Sequence, residues 1–80
     1  MGHFDYYSVV REIIDNLRND GKLAWAEKLK DDMVAGATGT EILMALRWHL
    51  RQFVKQGHVV STNTRNLIND IMPELDKELD

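Results

Sequence analysis

The segment 38–56 constrains the fold most, because it predicts one helix with two different apolar sides. Thr38 and Glu41 have the spacing of a capping box, in which each side chain bonds the backbone N–H of the other residue. At about 100° per residue, the apolar residues that follow form one narrow stripe of about 80°. A bundle helix buries such a stripe against its neighbours. The stripe consists of Leu43, Leu46, Leu50 and Phe53, with Ile42 and Val54 on its flanks.

A second stripe lies about 160–170° away on the same helix and contains Met44, Trp48, Arg51 and Lys55, with Arg47 beside it. A small domain normally keeps that side polar, so we expect other protein atoms to cover the tryptophan and methionine side chains. Three interpretations remain open. The chain itself could cover Trp48, a second copy could do so, or a different protein could. The candidate covers within the chain are a bent fourth helix and the N-terminal aromatic residues Phe4, Tyr6 and Tyr7.

Two further helices are predicted before this segment. The first starts after a cap at Asp5 and ends at Gly21, which suits a left-handed stop. The second covers about 22–35 and ends at Gly36. The short connections favour antiparallel neighbours. The apolar positions expected to face inward on the second helix are Leu23, Ala26, Leu29 and Met33.

A fourth helix is predicted after Gly57, capped by Ser61, Thr62 or Asn63. Pro73 falls inside its apolar pattern, and a proline lacks the N–H that an interior helical position donates. The sequence therefore predicts an all-α, compact up-down four-helix bundle in one domain, 1–80, with helix 4 kinked or broken near Pro73. The alternative is a three-helix core with a loosely docked fourth helix.

Composition limits the other possibilities. The 80 residues include no cysteine, which excludes disulfides and thiolate metal sites and fits a cytoplasmic protein. No apolar run approaches the length of a membrane span, and no secretory signal is recognisable, so we expect no membrane association. The net charge is −3, but residues 42–69 carry four bases and no acid, whereas 70–80 carry five acids and one base. These blocks could pair within one molecule or between two copies.

The sequence predicts no enzyme, no metal site and no cofactor. His3, His49 and His58 lack the spacing of metal ligands. Asp31 and Asp32 are adjacent and therefore point about 100° apart on a helix, so they predict a solvated face rather than an acid–base pair.

We therefore expect a small interaction or regulatory module that self-associates as a homodimer through Met44, Arg47, Trp48, Arg51 and Lys55. Its size, acidity and helical pattern resemble small bacterial immunity and antitoxin proteins. That resemblance implies an alternative, the inhibition of a basic partner protein. A further alternative, which the acidic composition disfavours, is weak nucleic-acid binding. The acids assigned to the first alternative are Asp15, Asp20, Asp31, Asp32 and Asp70, and the bases assigned to the second are Arg47, Arg51, Lys55 and Arg65.

Overall fold

A computed structural model describes residues 4–35 and 38–80, and it shows the predicted four helices. They are α1 (Tyr6–Asn19), α2 (Leu23–Val34), α3 (Gly39–Lys55) and α4 (Thr62–Leu79). Each helix packs against its neighbour in the chain, and α4 closes the ring against α1. The result is the predicted all-α up-down arrangement, in which α3 lies between α2 and α4.

The two ends of α1 are fixed by local hydrogen bonds. The Asp5 carboxylate accepts from the Ser8 N–H at 3.1 Å, which caps the first turn as predicted. At the other end Gly21 has a φ of +78°, the left-handed conformation that favours glycine. The Lys22 N–H then bonds the Leu17 carbonyl at 2.8 Å, and the Gly21 N–H bonds the Arg18 carbonyl. This pair of bonds is a Schellman motif, and it turns the chain sharply into α2. The predicted end of α2 at Gly36 lies outside the described residues.

All four helices contribute to one apolar core. The inward stripe of α3 is buried as predicted, with Leu46 and Leu50 at its centre. The buried apolar residues are Val10, Ile13, Ile14, Leu17, Ala26, Leu29, Leu43, Leu46, Leu50, Phe53, Ile68, Ile71 and Leu75.

Helix α4 runs without a break through Pro73. The proline leaves the carbonyl of Asn69 without its usual amide donor, but Asn69 is exposed and water can satisfy that carbonyl. Ile71 and Leu75, on either side of the proline, are fully buried. The helix is therefore held to the core across Pro73, and a break does not occur. The alternative of a loosely docked fourth helix is wrong for the same reason.

Two residues that the sequence placed toward the core are exposed. Leu23 is 62% exposed and Val54 is 56% exposed. Leu23 is the first residue of α2, and Val54 lies in the last turn of α3. Helical periodicity assigns a direction to a side chain, but it does not show how far the neighbouring helices extend over that side chain.

Candidate interaction face on α3

The two sides of α3 are fixed by its first turn and its core stripe. The Thr38 hydroxyl oxygen accepts from the Glu41 N–H at 3.3 Å, and that hydroxyl donates to the Glu41 carboxylate at 3.1 Å. Because Leu46 and Leu50 point into the core, Met44 and Trp48 must point out. They are 52% and 59% exposed. We call Met44, Arg47, Trp48, Arg51 and Lys55 the outer face of α3.

The chain does not seal Trp48. Within the described residues its one ring neighbour is His49, whose imidazole lies edge-on at 5.2 Å. Phe4 packs against Tyr6 instead, with ring centroids 5.1 Å apart. The Tyr6 hydroxyl donates to the Glu74 carbonyl at 2.9 Å and so ties the start of α1 to the last turns of α4. These N-terminal aromatic rings therefore support the bundle and leave the indole open to solvent.

Ion pairs border the outer face on the side of α4. Arg47 donates to Asp80 at 3.0 Å and to Asp76 at 3.5 Å, and Arg51 donates to Asp76 at 2.7 Å. The hydrogen bond that Arg47 donates to Asp80 is the main reason that the pKa of Arg47 rises above its ordinary value. We call these four residues the α4 border.

The α4 border decides between two pairings that the sequence left open. The basic middle and the acidic tail pair within one molecule, so Asp76 and Asp80 are not free to orient a second copy through these arginines. Lys55 makes no ion pair with any residue that the structure describes, and it remains exposed.

On the side of α2 the border is a histidine–aspartate pair. His49 Nδ1 lies 2.5 Å from Asp32 Oδ2, and only 11% of the Asp32 side chain is exposed. The sequence placed Asp32 on a solvated face, and that prediction is wrong. The spacing of α2 alone could not reveal that α3 brings an imidazole to it. We call His49 and Asp32 the α2 border.

A cluster of rings behind the α2 border was missed in the sequence. Trp25 packs edge-on against Phe53 at 5.3 Å and against His58 at 5.5 Å, while Phe53 and His58 stack at 4.6 Å. The available signal was that Trp25 lies four residues before the buried Leu29, a spacing that puts both on one side of a helix. The cluster joins α2 to the end of α3.

In the described part of the chain, no group of three or more potential ligands could hold a metal ion.

A polar network at the opposite end of α4 fixes that helix to the α1–α2 turn. One carboxylate oxygen of Asp20 accepts from the Ser61 N–H and hydroxyl, each at 3.2 Å, and from the Thr64 hydroxyl at 2.7 Å. Thr64 is fully buried. The bond from Thr64 is the largest cause lowering the pKa of Asp20. Ser61 is the N-cap of α4, one of the three candidates in the sequence.

Two cavities between the helices lie away from Trp48. One of about 280 Å³ lies between α3 and α4, lined in part by Phe53, His58 and Arg65. Another, of about 500 Å³, lies between α1 and α2. Neither contains a residue of the outer face. Small ligands bind in concave pockets, whereas an exposed helix surface suits another protein.

Comparisons with protein-family models, curated proteins and solved structures gave no match, so no relative assigns a role to any residue. Among the helices of the described residues, none combines the length and apolar character that a membrane span needs.

Proposed function

We propose that this protein is a small interaction module that self-associates through the outer face of α3. The observation that carries the proposal is the exposure of Trp48, at 59%, in the middle of a well-packed helix. A large apolar side chain in that position costs solubility without adding to the core. Burying it against a second protein would recover the hydrophobic free energy that the monomer forgoes.

The composition of the face supports this role. Tryptophan, methionine and arginine are enriched at protein interfaces, and tryptophan and arginine dominate their energetic hot spots. Met44 and Trp48 form the apolar centre, and the α4 and α2 borders supply a polar rim. The arginines are already held in place by Asp76 and Asp80, so less side-chain entropy is lost when a partner binds.

The two alternatives lose support. For a basic partner, three of the five assigned acids are already engaged: Asp20 by Ser61 and Thr64, Asp32 by His49, and Asp15 by Arg18 at 3.5 Å. Asp31 and Asp70 remain exposed.

For nucleic acid, Arg47 and Arg51 are neutralised by Asp76 and Asp80. Basic side chains that bind phosphates displace the counterions condensed on the nucleic acid, and of the four assigned bases only Lys55 and Arg65 make no ion pair among the described residues. Self-association therefore stays as the single proposal. It involves no catalytic step, and a chain without cysteine fits the reducing cytoplasm.

Sedimentation of the wild-type protein and Trp48→Ala from micromolar to millimolar concentration tests the proposal. We expect the average mass of the wild type to rise with concentration while Trp48→Ala stays monomeric. Leu23→Ala is the matched control, because Leu23 is equally exposed at 62% but lies on α2. The proposal fails if the wild type remains a monomer throughout, or if Trp48→Ala associates as the wild type does.

A further inference from the structure

Two oppositely charged residues of α3, Glu41 and Lys55, lie equally far from Trp48 along the helix. Glu41 precedes the tryptophan by seven residues, and Lys55 follows it by seven. Residues seven apart drift by only about 20° on a helix, so the three side chains lie along one line. At 1.5 Å per residue, each charge is about 10 Å from Trp48 along the axis. The line is therefore negative at one end, apolar in the middle and positive at the other end.

Such a line is self-complementary in one orientation. A two-fold axis that runs between two facing copies of α3, perpendicular to them and beside Trp48, reverses the direction of the second helix, and residues equally far from Trp48 then face each other. Glu41 of one copy would meet Lys55 of the other, twice. A parallel pair would instead place glutamate against glutamate and lysine against lysine, which is repulsive.

We infer that a second copy of this chain docks antiparallel on α3, with the two Trp48 rings at the two-fold axis and a Glu41–Lys55 pair at each end. This inference rests on the proposed function and adds the orientation of the partner. Both charges are accessible for it. Lys55 has no ion pair among the described residues, and the Glu41 carboxylate accepts only the short-range bond from Thr38 there.

The total charge of the surface also favours a second copy over a strongly charged partner. Along α3 and its α4 border, three cations stand against three anions. In the antiparallel dimer the α4 border of one copy lies over that of the other, and each border is neutral. A polyanion or a basic protein would gain little from such a surface. The cations are Arg47, Arg51 and Lys55, and the anions are Glu41, Asp76 and Asp80.

The size of the outer face determines how tightly two copies are expected to bind. A 17-residue helix is about 25 Å long, so one helix face against another falls at the low end of interface areas. We therefore expect a dissociation constant in the micromolar range or weaker.

Charge reversal tests the orientation. Glu41→Lys and Lys55→Glu each replace two attractive contacts by two repulsive ones, so each variant should dimerise about fivefold to thirtyfold more weakly than the wild type. An equimolar mixture of the two variants should regain wild-type association, because both contacts in the mixed dimer are again attractive. Sedimentation of each variant and of the mixture gives these affinities.

Matched variants separate orientation from net charge and from folding. Glu12→Lys on α1 and Lys30→Glu on α2 make the same charge changes at exposed sites off the face, and they should associate as the wild type does. Glu41→Gln keeps a capping-box residue but loses the charge, so its effect should be intermediate. Circular dichroism verifies that each variant is folded.

The outcomes are distinguishable. A wild-type protein that never dimerises ends the proposed function. A dimer that Trp48→Ala abolishes but single charge reversals leave unchanged overturns the antiparallel orientation alone. In a parallel dimer the single reversals would match the wild type, and their mixture would bind more tightly.

Discussion

Both the inner and the outer side of α3 carry large apolar side chains, but the two sides differ in what covers them. Leu50 is 1% exposed, whereas Trp48, two residues earlier, is 59% exposed. The inner side contributes to the free energy of folding, because its surface leaves water when the chain folds. The indole of Trp48 stays mostly in water when the chain folds, so in the proposed dimer its burial would favour association. The proposed function therefore assigns folding stability to one side of this helix and association to the other.

The largest expected effect tests this separation directly. Leu50→Ala should lower the free energy of unfolding by about 2–5 kcal/mol, because it removes transfer free energy and leaves a cavity. Trp48→Ala should change monomer stability by less than about 1 kcal/mol, because the ring is mostly exposed. Urea denaturation at low protein concentration measures both values. Equal losses of unfolding free energy in the two variants would show that the inner and outer sides of α3 contribute equally to folding.

A substitution outside α3 should change the stability of the fold without changing association. Gly21→Ala should lower the free energy of unfolding by about 1–2 kcal/mol, because φ at this position is +78°. Gly39→Ala is the matched control. Its φ is not in the left-handed region, and the added methyl would meet the Tyr7 hydroxyl at an ordinary 3.6 Å. Thermal denaturation of Gly21→Ala and Gly39→Ala compares the stabilities of the two variants. Neither should alter the association of the folded protein, and a change in dimer affinity by Gly21→Ala would contradict this.

Tyr6→Phe is expected to have a smaller effect on stability. It removes the hydroxyl that donates to the Glu74 carbonyl, a hydrogen bond worth about 0.5–1.5 kcal/mol. Tyr7→Phe is the control, since that ring is more exposed. Urea denaturation of the two variants measures the difference. A loss no greater for Tyr6→Phe than for Tyr7→Phe would show that this bond does not hold α4 in place.

The smallest effect is the pH dependence at Asp20, since this carboxylate is only partly buried. Its pKa in the folded protein lies below the ordinary 3.8, mainly because of the bond from Thr64. The unfolded chain therefore takes up the proton first as the pH falls, and the stabilisation is complete above pH 3.8 and lost as the pH falls through the lower, folded value.

The difference in unfolding free energy between the wild type and Asp20→Asn should accordingly narrow in acid. Asp31→Asn, at an exposed aspartate of α2, is the control for the loss of one carboxylate charge. Chemical denaturation from neutral pH to below pH 3.8 gives the comparison. A difference that stays constant over that range would mean that the network does not depend on the charge of Asp20.

Sequence reasoning succeeded where local spacing decides structure. The inward positions of α3, the caps at Asp5 and Thr38 and the turn at Gly21 all follow from residues within one or two helical turns. It failed for Asp32 and for Trp25, whose surroundings are supplied by α3, and for the ends of helices at Leu23 and Val54. The pairing of Arg47 with Asp80 joins residues 33 positions apart, and both an intramolecular and an intermolecular partner were compatible with the pattern.

By itself the sequence determined the helices, their buried stripes and the outward direction of Trp48, because a periodicity of 3.6 residues fixes the direction of each side chain. Only the tertiary structure decided what lies beside that indole. The packing of α2 and α4 against α3 placed Asp32 on His49 and the acidic tail on Arg47 and Arg51. Contacts between helices depend on how the helices are arranged in space, and no local spacing along the chain specifies that arrangement.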